Sequence, residues 1–67
     1  MYIVDTDRLK EVCKERGITQ KTLAERTKIT PCLISYYMSG QRRPNVNNLF
    51  KIGEALQINV YDLIVRL

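Results

Sequence analysis

The chain has 67 residues, a formal net charge of +4, two cysteines and no histidine or tryptophan. That length makes one small domain, which buries roughly 60% of its extended-chain surface and leaves little room for a deep substrate pocket. Hydrophobic residues at 45% and charged residues at 27% suit a folded chain rather than a disordered one, and the lack of histidine removes the commonest general base near neutral pH, so an enzyme is not expected.

The elements follow in chain order. The opening MYIVDTDRLK has aspartates at once and no long apolar region, so it does not read as a secretory signal. Tyr2-Ile3-Val4 can form a short strand, pairing with 64–67 or with a second subunit. Asp5 or Thr6 can cap a first helix whose apolar positions are Leu9, Val12 and Cys13 and which Gly17 ends. Glu11 can pair with Lys14 on its outer face. Thr19 caps a second, short helix that carries Leu23 and Ala24 inward and ends near Thr27. Thr30 caps a third helix with Pro31 at its first position, where the missing N–H costs nothing. Leu33, Ile34, Tyr37 and Met38 form its apolar stripe and Gly40 closes it. An exposed basic turn, 40–44, follows. Asn45 caps a fourth helix with Val46, Leu49, Phe50, Ile52 and Leu56 as its apolar positions. Asn59 caps a fifth, with Asp62 completing a capping box and Val60, Leu63, Ile64 and Leu67 as apolar residues. The pattern predicts an all-α domain over 1–67 with no repeat or linker. No apolar run approaches the roughly 18–20 residues of a membrane span.

The charge is uneven. Arg26, Lys28, Arg42, Arg43 and Lys51 fall in a window from Arg26 to Gly53 that holds no acid, while the remaining six basic residues face all seven acids. The middle thus carries +5 and the flanks −1, which suggests a side that meets a polyanion. Cys13 and Cys32 lack C-x-x-C spacing and a histidine partner, so no zinc site and no disulfide framework is expected, and a reducing, cytoplasmic setting is the simpler reading.

Helix 19–27, turn 28–30 and helix 31–39 have the lengths of a helix-turn-helix. Thr19-Gln20 opening the second helix, Leu23-Ala24 inside it, Ile34-Ser35 and Tyr37 in the third, Gly40, Arg42 and Pro44 in the turn, and the ending Ala55-Leu56, Ile58, Asp62-Leu63 all keep register. Over about residues 8–65 the chain resembles the Cro/C1-type, or XRE-type, helix-turn-helix domain of phage repressors and bacterial regulators. The resemblance implies a compact five-helix, lambda-repressor-like fold. It implies sequence-specific binding of double-stranded DNA by a small stand-alone regulator, a repressor, usually a homodimer on half-sites. No cofactor, small-molecule ligand or membrane partner is expected. An antitoxin or antirepressor-type protein-interaction module on the same fold is the alternative.

Ile34 and Tyr37 inward turn Pro31, Cys32, Ser35 and Tyr36 outward, and by resemblance the start of this helix faces base edges. The resemblance carries Gln20 to a phosphate, with Lys21, Thr30, Arg42 and Arg43 beside it. Asn45, Asn47 and Asn48 crowd a helix start where a second phosphate can bind. Tyr61, Ile64, Val65 and Leu67, with Tyr2–Val4, are the candidates for a dimer seam, if they do not simply complete the core. Three positions depart from the family pattern. Lys28 stands where glycine is common in the turn. Thr27 replaces an apolar residue, which predicts looser packing there. Gly53 replaces alanine, which predicts a helix weakened by roughly 1 kcal/mol.

Overall fold

The computed structural model describes residues 2–66. In chain order they form strand β1 (Tyr2–Val4), helices α1 (Thr6–Arg16), α2 (Gln20–Thr27), α3 (Pro31–Ser39) and α4 (Val46–Leu56), a 3₁₀ turn (Val60–Leu63) and strand β2 (Ile64–Arg66).

Each α-helix begins on a side-chain oxygen that accepts a backbone N–H three residues on. Asp5 takes Arg8, Thr19 takes Thr22, Thr30 takes Leu33 and Asn45 takes Asn48, at 2.8 to 3.3 Å. Each removes one of the unpaired donors of a first turn. All four helices also end on a left-handed residue: Gly17, Lys28, Gly40 and Gln57. Gly40 (φ 81°) reaches that region without a Cβ penalty, whereas Lys28 (φ 60°) and Gln57 (φ 58°) bear it.

Among the described residues there are four α-helices, and the segment after Asn59 is not a fifth. Asn59 caps only the single 3₁₀ turn, accepting Tyr61 N at 3.0 Å, and the expected capping box does not form: Asp62 N donates to the Asn59 carbonyl instead. Ile64 then turns extended (φ −122°, ψ 153°), and the β-branched pair Ile64-Val65 enters an antiparallel ribbon with β1 in the register Tyr2↔Arg66, Ile3↔Val65, Val4↔Ile64. A β-branched run loses little in a strand, and the waiting partner strand supplies its hydrogen bonds. Of the two pairings open to Tyr2–Val4, the one with the chain's own 64–66 is formed.

The core gathers Leu9, Val12 and Cys13 of α1, Leu23 and Ala24 of α2, Ile34, Tyr37 and Met38 of α3, Ile52 and Leu56 of α4, and Leu63, with Ile18 and Ile29 from the turns. Ala24, the smallest of these side chains, is 4% exposed. Burial pushes the Cys13 thiol above its ordinary pKa by desolvation, so Cys13 serves as a small hydrophobe. Val46 and Phe50 do not join the core: they are 55% and 56% exposed. The buried stripe of α4 is Leu49, Ile52, Gly53 and Leu56; Phe50 lies one residue step off it, and Val46 is the first residue of the helix. Glu11 pairs with Arg8 at 2.6 Å rather than with Lys14, an exposed pair of small energetic weight.

Two family departures find structural reasons. Thr27 is 4% exposed, yet its hydroxyl is fully used: Oγ1 donates to the Leu23 carbonyl at 2.7 Å and accepts Ile29 N at 3.3 Å. The threonine therefore ties the end of α2 to the turn instead of loosening it. Gly53 faces the 3₁₀ turn, and a Cβ there would stand 2.5 Å from Val60 Cγ1 and 3.3 Å from the Ile58 carbonyl oxygen. Only a residue without a side chain admits that approach.

Candidate nucleic-acid interface

The turn between α2 and α3 decides what α3 can present. Thr27 and the left-handed Lys28 reverse the chain, Thr30 caps α3, and Pro31 occupies its first turn. Ile34, Tyr37 and Met38 are then drawn into the core. Their burial leaves Pro31, Cys32, Ser35 and Ser39 exposed and Tyr36 half-buried. This is the outward face expected from the sequence. Cys32 is a free, exposed thiol.

Gln20 is the first residue of α2, and it and Lys21 are exposed. Backbone N–H groups of that first turn point away from the helix, so the position favours an anion. Thr30, though exposed, has its hydroxyl committed to the Leu33 cap.

The asparagines at the start of α4 divide their work. Asn45 is the cap. Asn48 is half-buried and donates from Nδ2 to the Tyr37 hydroxyl at 2.9 Å, so it locks α4 onto α3 and satisfies the one polar atom of a core tyrosine. Asn47 is exposed.

The two adjacent arginines also part company. Arg42 lies with its guanidinium carbon 5.3 Å from the centroid of the Tyr36 ring. Arg43 turns to the other side: it lies 5.6 Å from the Tyr2 ring and donates from Nη1 to the Tyr2 carbonyl at 2.9 Å. The Tyr2 hydroxyl in turn donates to the Pro44 carbonyl at 3.1 Å. Tyr2 thus clasps the turn after α3 to the ribbon, a link that no local pattern in the sequence announces because its partners lie some forty positions away.

Arg26, Lys28 and Lys51 border a shallow concavity of about 280 Å³ between the end of α2 and α4, with Thr27, Glu54 and Ala55; none of these residues is on α3. Among the described residues no group of three or more Cys, Asp or Glu is placed to hold a metal ion, and no helix is long and apolar enough to cross a membrane.

Of the seam candidates, Tyr61 is 69% and Val65 44% exposed, while Ile64 is half-buried opposite Val4. Leu67 lies outside the described residues. The exposed Phe50, an apolar position of α4 in the sequence pattern, borders the same shallow concavity as Tyr61.

The helix-turn-helix family model matches residues 9–63. Among solved structures, the restriction-modification controller protein C.AhdI from Aeromonas hydrophila is similar at 28% identity and a TM-score of 0.81, covering 85% of this chain and 86% of that one. A putative DNA-binding protein from Bacteroides fragilis is similar at 29% identity and a TM-score of 0.82, covering 97% of this chain and 100% of that one. The clp gene regulator ClgR from C. glutamicum shares the fold, at 24% identity and a TM-score of 0.77 over 85% of this chain and 74% of its own. No curated protein sequence matches significantly.

Proposed function

Because this chain belongs to the Cro/C1-type helix-turn-helix family, a family of DNA-binding transcriptional regulators, we propose that it binds double-stranded DNA with α3 in the major groove and acts as a small repressor. The carrying observation is the outward face of α3, where Pro31, Cys32 and Ser35 stand exposed with Tyr36 on a helix whose other side is buried. A major groove about 12 Å wide admits one such helix. Gln20 and Lys21 at the start of α2, Thr30 through its backbone, and Asn47 with the start of α4 hold the flanking phosphates. Asn45 and Asn48 support the second of these sites from behind, as cap and as tie to Tyr37. The role is binding rather than catalysis.

The regulator works as a homodimer on half-sites roughly 34 Å apart. Its seam is built on Phe50 and Tyr61, 56% and 69% exposed on one shallow concavity, since large apolar side chains side by side in solvent mark contact surfaces. Repression follows from occupancy of the site.

A salt titration of binding to random-sequence duplex tests the DNA reading. Each neutralised phosphate contributes about −0.9 to the slope of log affinity against log salt, so a slope of about −3 or steeper is expected. Absence of binding at low salt would overturn it and leave a protein-interaction role on the same fold, as in an antitoxin or antirepressor.

A further inference from the structure

The outward face of α3 has an odd composition for a reader of sequence. Pro31, Cys32, Ser35 and Tyr36 include none of the Arg, Asn or Gln side chains that make two-pronged contacts to a base. The fold brings one such side chain to that face from outside the helix. Gly40 turns the chain back over the last turn of α3, and the Tyr36 carbonyl accepts Gln41 N at 3.0 Å, Arg42 N at 3.4 Å and the Ser39 hydroxyl at 3.2 Å. The Arg42 backbone is therefore fixed next to Tyr36, and its guanidinium comes to lie over the Tyr36 ring. Arg43, one residue on, shows the contrast: its guanidinium is turned to the Tyr2 side, with Nη1 donating to the Tyr2 carbonyl. Among the described residues Arg42 makes no ion pair, and its five guanidinium N–H donors engage no acceptor.

We infer that Arg42 reads a guanine at its O6 and N7 edge, and that Tyr36 is the positioning residue that holds its guanidinium for the contact. The inference rests on the DNA-binding reading. Neutralising a phosphate requires only a positive charge within reach, and a freely swinging side chain suffices. Pairing with a base requires the planar fork to stay near the plane of the base pair. A ring beneath the guanidinium does that and leaves the edge donors free. Tyr36 is itself half-buried, so the support is not free to swing away.

The test begins with the duplex that wild-type protein selects from a random pool. Its binding is compared with that of a shuffled duplex by fluorescence anisotropy, with thermal melts to show that each variant folds. R42K keeps the charge and loses the fork. It is expected to lose roughly 10- to 100-fold on the selected duplex and no more than about threefold on the shuffled one. Replacing the contacted G·C pair should cost wild type the same factor and R42K almost nothing. Y36F should keep the guanine preference, and Y36L, which removes the ring, should lose it. Equal losses for R42K on both duplexes, or none on either, would overturn the base contact. A guanine preference that survives Y36L would overturn the role of Tyr36. If wild type binds neither duplex at low salt, the DNA reading itself fails, and the assignment of Arg42 falls with it.

Discussion

Gly53→Ala sets two physical effects against each other. Helix propensity alone predicts a gain of about 1 kcal/mol, because Gly53 lies inside α4. The packing predicts a loss. An alanine Cβ would sit 2.5 Å from Val60 Cγ1 and 3.3 Å from the Ile58 carbonyl oxygen. Val60 cannot swing aside cheaply, since it is β-branched, 8% exposed and follows the Asn59 cap. The Ile58 backbone is also held, its N–H donating to the Gly53 carbonyl at 3.0 Å. Overpacking of a fixed core costs roughly 1–3 kcal/mol, and the rigidity of both neighbours places this case near the top of that range. The net expectation is a loss of about 2 kcal/mol, which lowers Tm by on the order of 10 °C for a domain of this size. Circular dichroism melts measure it directly. The Gly53→Ala, Val60→Ala double variant supplies the control: with Cγ1 gone the clash goes too, so the two changes should couple by more than about 1 kcal/mol. A Gly53→Ala protein that melts higher than wild type would refute the packing argument and restore propensity as the governing effect.

Two further predictions concern Thr27 and Phe50. Thr27→Val keeps shape but leaves Ile29 N without the hydroxyl that accepts it; urea unfolding should show a loss of about 1–3 kcal/mol, with a smaller loss for Thr27→Ser, which keeps the oxygen. Phe50→Ser should change monomer stability by less than about 0.5 kcal/mol, because the side chain is 56% exposed, yet sedimentation equilibrium should show a shift toward monomer. Unchanged self-association would remove Phe50 from the seam.

Helix positions were legible because their signals are local. Thr19, Thr30-Pro31 and Asn45 mark starts, and Gly17 and Gly40 mark ends, within a few residues of the geometry they set. The segment 60–66 is not legible in this way, for the opposite reason. Val60, Leu63 and Ile64 have helical spacing, but Ile64-Val65 is drawn into a ladder with Tyr2–Val4, a partner that local periodicity cannot reveal. The exposure of Phe50 and the packing need for a glycine at 53 are hidden for the same reason: which side of α4 is covered depends on where the 3₁₀ turn lands. In the candidate interface, the outward face of α3 followed from Ile34 and Tyr37 alone. The diverging fates of Arg42 and Arg43, identical in type and adjacent in sequence, depend on which tyrosine each one meets.

The β1–β2 ribbon has a kinetic consequence. Turns, caps and helix pairs can assemble from neighbours, whereas pairing Tyr2 with Arg66 requires closing nearly the whole chain into a loop. Closure entropy grows with loop length, and a two-stranded ribbon is marginal by itself, so it zips only after the helical body has brought its strands together. The ribbon then acts as a late seal, slowing the loss of the native state more than it hastens its formation.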